Sequence, residues 1–327
     1  MNTLRHVLTL TLLSVALFTA ACASSSSSSS DDALIAGSSE PPVPSLLGRP
    51  LSPLRFDAAT LRQYEADLAT ARVAYERDPT DEMNAIWYGR RLAYLGRYRE
   101  AIEVFTRGLA LHPDSYRLLR HRGHRYITLR RLDLAEQDLA RAAALIEGVP
   151  DAIEPDGQPN PSNLPRSTTN SNIWYHYALT LYLQGRFDDA AAAWTRCLDF
   201  ARINDDMLCA TLYWLWHARM HAGRSAGIRP WLRDQVRPGM DIIENHTYHR
   251  LLLFYAGEIE ERDVIDISAA TPVELATHGY GIADWYLVNG HREEATQLMQ
   301  RILQTPYWPA FGYLAAEAEL ARLRRQP

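Results

Sequence analysis

Between Glu82 and Val149 one pattern of small and large residues occurs twice, thirty-four residues apart, and that period constrains the fold more than any other feature of the chain. The first copy places Ala85, Tyr88, Gly89, Leu92, Gly96, Tyr98, Ala101, Phe105, Gly108 and Pro113. Leu119, Gly123, Tyr126, Leu132, Ala135, Leu139 and Ala142 fill the same places in the second. A unit this short is a helix pair that cannot bury its own apolar stripe, so neighbours must stack to complete a core. Gly89 and Gly123 allow the first helix of each pair to approach the second, Phe105 and Leu139 fill the space between, and Pro113 stops a helix because it lacks the amide hydrogen.

The pattern returns with interruptions. Trp174, Tyr177, Ala178, Leu181, Gly185, Phe187, Ala190, Trp194 and Cys197 form a third unit starting near Ser171. A fourth begins near Cys209 with Leu212, Leu215 and Gly223, and its second helix carries Pro230. Asp241–Gly257 reads as helical, and the last unit, near Ala276, shows Tyr286, Gly290, Ala295 and Met299. Phe311–Arg324 reads as a closing helix, and Ala58–Arg77 as a helix that caps the N-terminal end. Taken together, these positions resemble the tetratricopeptide repeat (TPR) family. The resemblance implies an all-α, TPR-like helical-hairpin solenoid of about six helix pairs plus capping helices.

Composition suits a folded chain, with 47% hydrophobic and 22% charged residues. The net charge of −5 is too small to steer a partner, and all 34 basic residues are Arg, which fits a GC-rich coding bias; no nucleic-acid role follows. At the N-terminus Arg5 precedes a short apolar run, Val7–Ala21, the pattern of a secretory signal peptide. Phe18-Thr19-Ala20-Ala21-Cys22 resembles a bacterial lipobox, with Thr19 in place of the usual Leu, which implies acylation of Cys22 and insertion into the lipid bilayer. Residues 23–53, with Ser24–Ser30 and Pro41-Pro42-Val43-Pro44, read as a disordered Ser/Pro-rich tether. The organisation expected is therefore a signal peptide over 1–22, the tether over 23–53, a capping helix and two repeats over 54–149, a long loop insertion over 150–170, and degenerate repeats with a closing helix over 171–327. Ala23 after the Cys resembles an outer-membrane address, facing the periplasm. Cys197 and Cys209 read as buried free thiols, with a bridge as the alternative.

In the TPR family the first helix of each pair lines a concave groove. Projected onto this sequence, the groove carries Arg90, Tyr94, Arg117, Arg120 and His124, then Tyr175, Tyr182, Tyr213, His217 and His221, then Glu244, Tyr255, Tyr280 and Asp284. Basic at one end and aromatic in the middle, it suits a protein or extended peptide partner. Arg117, Arg120, Arg122, Arg125, Arg130 and Arg131 crowd one short stretch, and guanidinium forks bind carboxylates in pairs. The Asn partners of the chaperone-type clamp are missing from the matching positions, which leaves an anionic ligand of another kind, while the plain reading is a solvated basic face beside Asp133 and Glu136.

His217 and His221 stand four apart, and His246 and His249 three apart near Glu244, spacings that chance also produces among eleven His; no metal or other cofactor is expected. The sequence holds no Gly-x-Ser-x-Gly elbow, phosphate-cradling Gly loop or Cys-x-x-Cys pair, and no catalytic residue is assigned. The 150–170 insertion reads as a loop that can fold over the groove. The function expected is an envelope-anchored adaptor that binds its partner in the groove. The alternative is a small-molecule-binding protein or hydrolase acting on an envelope substrate, with a pocket of Glu244, His246, His249, Tyr280 and Asp284. The anchor has a direct test: Cys22→Ser is expected to abolish palmitate incorporation and move the protein from the membrane to the soluble fraction, and unchanged labelling would refute acylation at Cys22.

Overall fold

The computed structural model describes residues 34–325, apart from residue 161. The signal peptide, Cys22 and residues 23–33 of the tether lie outside the described residues. Within them thirteen α-helices run in order. Helix α1 is Ala58–Arg77. Hairpins follow as α2 (Glu82–Tyr94) with α3 (Tyr98–Leu111), α4 (Tyr116–Thr128) with α5 (Leu132–Leu145), α6 (Thr169–Leu183) with α7 (Phe187–Ala201), and α8 (Asp205–His221) with the short α9 (Ile228–Gln235). Then come α10 (His246–Ala256), the pair α11 (Pro272–Val288) and α12 (Arg292–Ile302), and α13 (Phe311–Leu323). The helical reading of Asp241–Gly257 thus holds only from His246; residues 241–245 are a loop whose amides at Ile243, Glu244 and Asn245 donate to the Asp206 carboxylate.

Local chemistry explains the boundaries. Asp57, Asp81, Ser115 and Asn204 cap α1, α2, α4 and α8 by accepting backbone amides, and Thr168 and Thr271 form capping boxes on α6 and α11. Between the helices of a pair the chain turns through a left-handed residue, Gly96 (φ +76°) in the first hairpin and Gly185 (φ +82°) in the third. Gly89 is tied to its place by packing, since a Cβ there would stand 2.3 Å from the Phe105 ring. Gly123 stands likewise against Leu139, as the repeat pattern requires.

Two segments depart from a simple solenoid. Residues 34–56 are ordered, which corrects the tether reading over 34–53: β1 (Ile35–Ala36) pairs antiparallel with β4 (Arg55–Phe56), β2 (Val43–Pro44) with β3 (Pro50–Leu51), and Val43 and Leu51 are buried. The apolar residues Val43, Leu51, Leu54 and Phe56, masked in sequence by the surrounding Pro and Ser, supply what holds the segment down. The second is α13. In a repeat stack each unit touches its neighbours only, yet α13 reaches α4, where Phe311 meets His124 (5.4 Å between rings), α6, where Phe311 meets His176 (5.6 Å), and α8, where Glu319 faces His221. All three are first helices of their pairs, so α13 fills the concave face.

A buried ion pair fixes it there. Arg130 occupies the turn position that Gly96 holds one repeat earlier, at φ +60°, and left-handed backbone opposes a residue bearing Cβ by roughly 1–2 kcal/mol. The side chain accounts for the choice. Its guanidinium donates to Glu317 Oε2 (2.9 Å from Nε), the Thr128 carbonyl (2.6 Å) and the Trp308 carbonyl (3.1 Å), while Glu317 Oε1 accepts the Leu46 amide at 2.8 Å. Trp308 in turn donates to the Ser52 carbonyl and packs edge-on against Tyr98. The turn after α4, residues 45–52 and α13 therefore meet on one pair of charges. Arg130→Gly is expected to lower unfolding stability by about 2–4 kcal/mol in urea denaturation, because an unpaired buried Glu317 outweighs the relieved strain; a stabilised variant would refute the role assigned to the pair.

Candidate functional site

The filling of the groove separates the projected groove residues into two groups. Tyr182, Tyr213 and His217 have no exposed surface, and Tyr175 is buried against Phe311 and Trp194. These four cannot touch a partner in this arrangement. Arg90, Tyr94, Arg117 and His124 on α2 and α4 remain partly exposed, and Arg120 is buried beside them.

The pocket read from the C-terminal repeats is not assembled. Glu244 pairs with Arg166 at the surface (2.5 Å), His246 is exposed, and His249 donates from Nε2 to the Arg237 carbonyl (2.9 Å). Tyr280 and Asp284 lie in the core instead. There Asp284 bridges His217 Nδ1 (2.6 Å) and His221 Nε2 (2.7 Å), and Tyr280, whose hydroxyl meets that of Tyr182 at 2.5 Å, adds a bond to Asp284 at 3.2 Å. Donor atoms of His221, Asp284 and Glu319 from α8, α11 and α13 lie within 4.8 Å of one another, the one such group among the described residues with a metal-like arrangement. Its charges already balance. Arg322 pairs with Glu319, and although burial pushes the His221 imidazole down, Asp284 outweighs it and raises it above its ordinary value. Asp284, which burial pushes up, is held below the usual carboxylate range by His221 and His217. The cluster clamps α8, α11 and α13 together as an internal ion network.

At the open end the loop before α6 folds back over the first helices. Arg90 donates to the Pro155 carbonyl (2.9 Å), Arg91 to Gly157 (3.1 Å), Gln158 to Tyr64 (2.6 Å), and Arg120 pairs with Glu154 (3.1 Å). A Cβ at Gly157 would stand 1.7 Å from the Tyr94 hydroxyl, so the loop is seated closely. Beneath it lies a cavity of about 130 Å³ lined by Arg90, Tyr94, Phe105, Arg120, His121, His124 and Arg125, and beside that a hollow of about 300 Å³ that shares Arg90 and His121. A guanidinium only donates, so the 2.8 Å contact of Arg120 Nη1 with His121 Nδ1 makes that nitrogen the acceptor. On the other side, residues 45–57 and the turn before α13 enclose a cleft of about 700 Å³ walled by Phe56, Tyr64, Tyr307, Trp308 and Tyr313, with Arg49, Arg55 and Glu317 at its margins. Its aromatic wall with polar side chains interspersed has the character of a ligand-binding cleft.

Sequence reasoning placed Arg130 only in a basic stretch and missed Glu317, Trp308 and His121. One signal was available: Arg130 stands where the repeat alignment calls for glycine. Cys197 and Cys209 are both free and buried, their thiols pushed up to about 12 by burial, and Cys197 donates to the Ser171 carbonyl at 3.4 Å.

The hairpins decide the architecture. The described residues form a TPR-like helical-hairpin solenoid. No family model matches the chain, and no curated protein matches it. Among solved structures, PilW, a type IV pilus biogenesis factor, is 16% identical with a TM-score of 0.43, covering 76% of this chain and 89% of its own. YrrB, a TPR protein with an unusual peptide-binding site, is 12% identical with a TM-score of 0.38, covering 79% of this chain and 98% of its own. MamA is 14% identical with a TM-score of 0.40, covering 54% and 83%.

Burial, reinforced by nearby Arg side chains, pushes the His121, His124 and His176 imidazoles well below their ordinary value, and burial lowers His217 despite Asp284. Each group favours the folded state fully above about pH 6.5 and progressively less below it, by up to about 1.4 kcal/mol per pH unit. His221, raised, has the opposite sign: its contribution is complete below about pH 6.5 and is lost as pH climbs through its raised value. Four groups outweigh one. Urea denaturation is expected to show lower stability at pH 5.5 than at pH 7.5, with the difference reduced in His176→Phe; greater stability at pH 5.5 would contradict the neutral burial of these rings.

Proposed function

We propose that the protein is an interaction scaffold of the cell envelope, anchored in the bilayer through acylated Cys22 and probing the periplasm, that holds a peptide or protein partner at the open end of its concave face. The contact residues are Arg90, Tyr94, Arg117 and His124, with Arg120 buried behind them. One observation carries the reading: from α6 onward the first helices are covered by α10, α11 and α13, whereas α2 and α4, met by α13 at His124, keep basic and aromatic side chains partly exposed beside the 300 Å³ hollow. Guanidinium forks flanked by aromatic rings suit an extended chain that carries acidic groups. Trp87 contributes to that surface, with the Arg90 guanidinium 4.4 Å from its ring. The hydrolase alternative built on Glu244, His246, His249 and Asp284 gains no support, because those groups are dispersed between surface and core.

The test is affinity capture from membranes after mild crosslinking, comparing the native chain with Arg90→Glu/Arg117→Glu. Both residues line the 300 Å³ hollow and are partly exposed, so the fold is expected to survive. A partner that co-purifies with the native chain and falls at least tenfold in the variant supports the scaffold; a partner retained equally by both forms refutes this surface as the contact.

A further inference from the structure

Two of the charge clusters among the described residues differ in one respect. Around Asp284 the acids and bases match, whereas around the 130 Å³ cavity they do not. Arg90, Arg120 and Arg125 line the cavity, and the carboxylate that reaches it is Glu154, in its pair with Arg120. Asp156 is turned to Arg166 at 3.9 Å, and Arg117 is matched by Glu82 at 3.5 Å. The Arg125 side chain makes no hydrogen bond or ion pair among the described residues; its guanidinium stands 5.5 Å from the Tyr98 ring. Burial and the neighbouring Arg120 and Arg90 press its pKa down to about 10. Arg120 is more than nine-tenths buried, and its Nε has no partner at all. A buried donor without a partner, as Arg120 Nε is, is costly, and Arg125 beside it is half-buried with no counter-charge of its own, so a bound anion would satisfy both.

We propose that this cavity binds a doubly charged tetrahedral oxyanion, inorganic phosphate or the phosphate of a small monoester, between Arg90, Arg120 and Arg125. Three guanidinium charges less the Glu154 carboxylate leave two positive charges, which one phosphate dianion neutralises. The donors fit. Arg120 Nε and the Arg125 fork are free to donate, the Tyr94 hydroxyl stands 3.5 Å from Arg90 Nη2 at the cavity wall, and neutral His124 can add one N–H. The volume admits an ion the size of a few waters, a water occupying about 30 Å³ in the liquid. A monoester would place its remaining atoms in the neighbouring hollow past Arg90. The inference sharpens the chemistry of the partner surface proposed above, yet it needs no partner to be tested.

Isothermal titration of the full chain in detergent micelles, at constant ionic strength set with sodium chloride, would compare inorganic phosphate, glycerol 3-phosphate, succinate and acetate. Phosphate is expected to bind saturably at one site per chain, at least tenfold more tightly than acetate. Arg125→Gln should lose at least tenfold in phosphate affinity while melting no lower than the native chain in phosphate-free buffer, since it removes an unpaired cation. Arg90→Gln, reaching the cavity from its accessible side, should show the same loss and covers the case in which the first variant fails to fold. Equal affinity for glycerol 3-phosphate assigns the site to monoesters, and much weaker affinity assigns it to the free ion. Absence of saturable phosphate binding, binding unchanged in the variants, or succinate binding as tightly as phosphate overturns the proposal. Loss of the captured partner in Arg90→Glu/Arg117→Glu without phosphate binding would leave the scaffold standing and remove this site alone.

Discussion

The arrangement turns on the Arg130–Glu317 pair. A stack of helix hairpins is open by construction, and a concave face lined with Tyr175, Tyr182, Tyr213 and His217 would expose a large aromatic surface to water. Here the chain covers that face itself. Arg130 holds a left-handed turn to project its guanidinium inward, Glu317 answers it from α13, and the second carboxylate oxygen takes the Leu46 amide, so that residues separated by most of the chain share one set of bonds. Such a buried pair contributes little net stability relative to apolar packing, but breaking it leaves a stranded charge, which makes it an effective determinant of register.

Closure by α13 accounts for the distribution of polar groups elsewhere. Once the helix occupies the groove, the titratable residues of α8 and α11 must be satisfied internally, and they are: Asp284 joins His217 and His221, and Tyr182, Tyr255 and Tyr280 complete the network with hydroxyl contacts. Beyond the start of α13 at Phe311, which meets α4, the loop before α6 takes over as the cover and brings Glu154 to Arg120. The basic surface that remains accessible is what these two covers leave at the end of the solenoid.

Much of the architecture was legible from spacing alone. The thirty-four-residue period located α2 through α5, and Ala58–Arg77 and the closing helix emerged from apolar periodicity with their ends nearly in place. What the sequence concealed were contacts that periodicity does not encode. The order of residues 34–56 rests on single apolar side chains such as Val43 and Leu51 scattered among Pro and Ser, a composition that reads as unstructured until the surface receiving them is known. The occupation of the groove depends on where α13 docks, a long-range placement that local pattern leaves open. The candidate site shared this limit: Arg90, Tyr94, Arg120 and His124 were legible as a basic end, whereas Arg125 and His121 joined them only once α4 had a fixed rotation, and Glu244 and Asp284 proved to lie in different environments.

Hydrogen exchange of the backbone amides of Tyr313–Leu320, compared with those of α6 and α8, tests the central claim most directly. A helix buried in the groove exchanges through the same large opening as the core helices, so protection of α13 should match theirs. Exchange of α13 within seconds while α6 and α8 stay protected would mean that the helix lies on the outside and that the concave face is open.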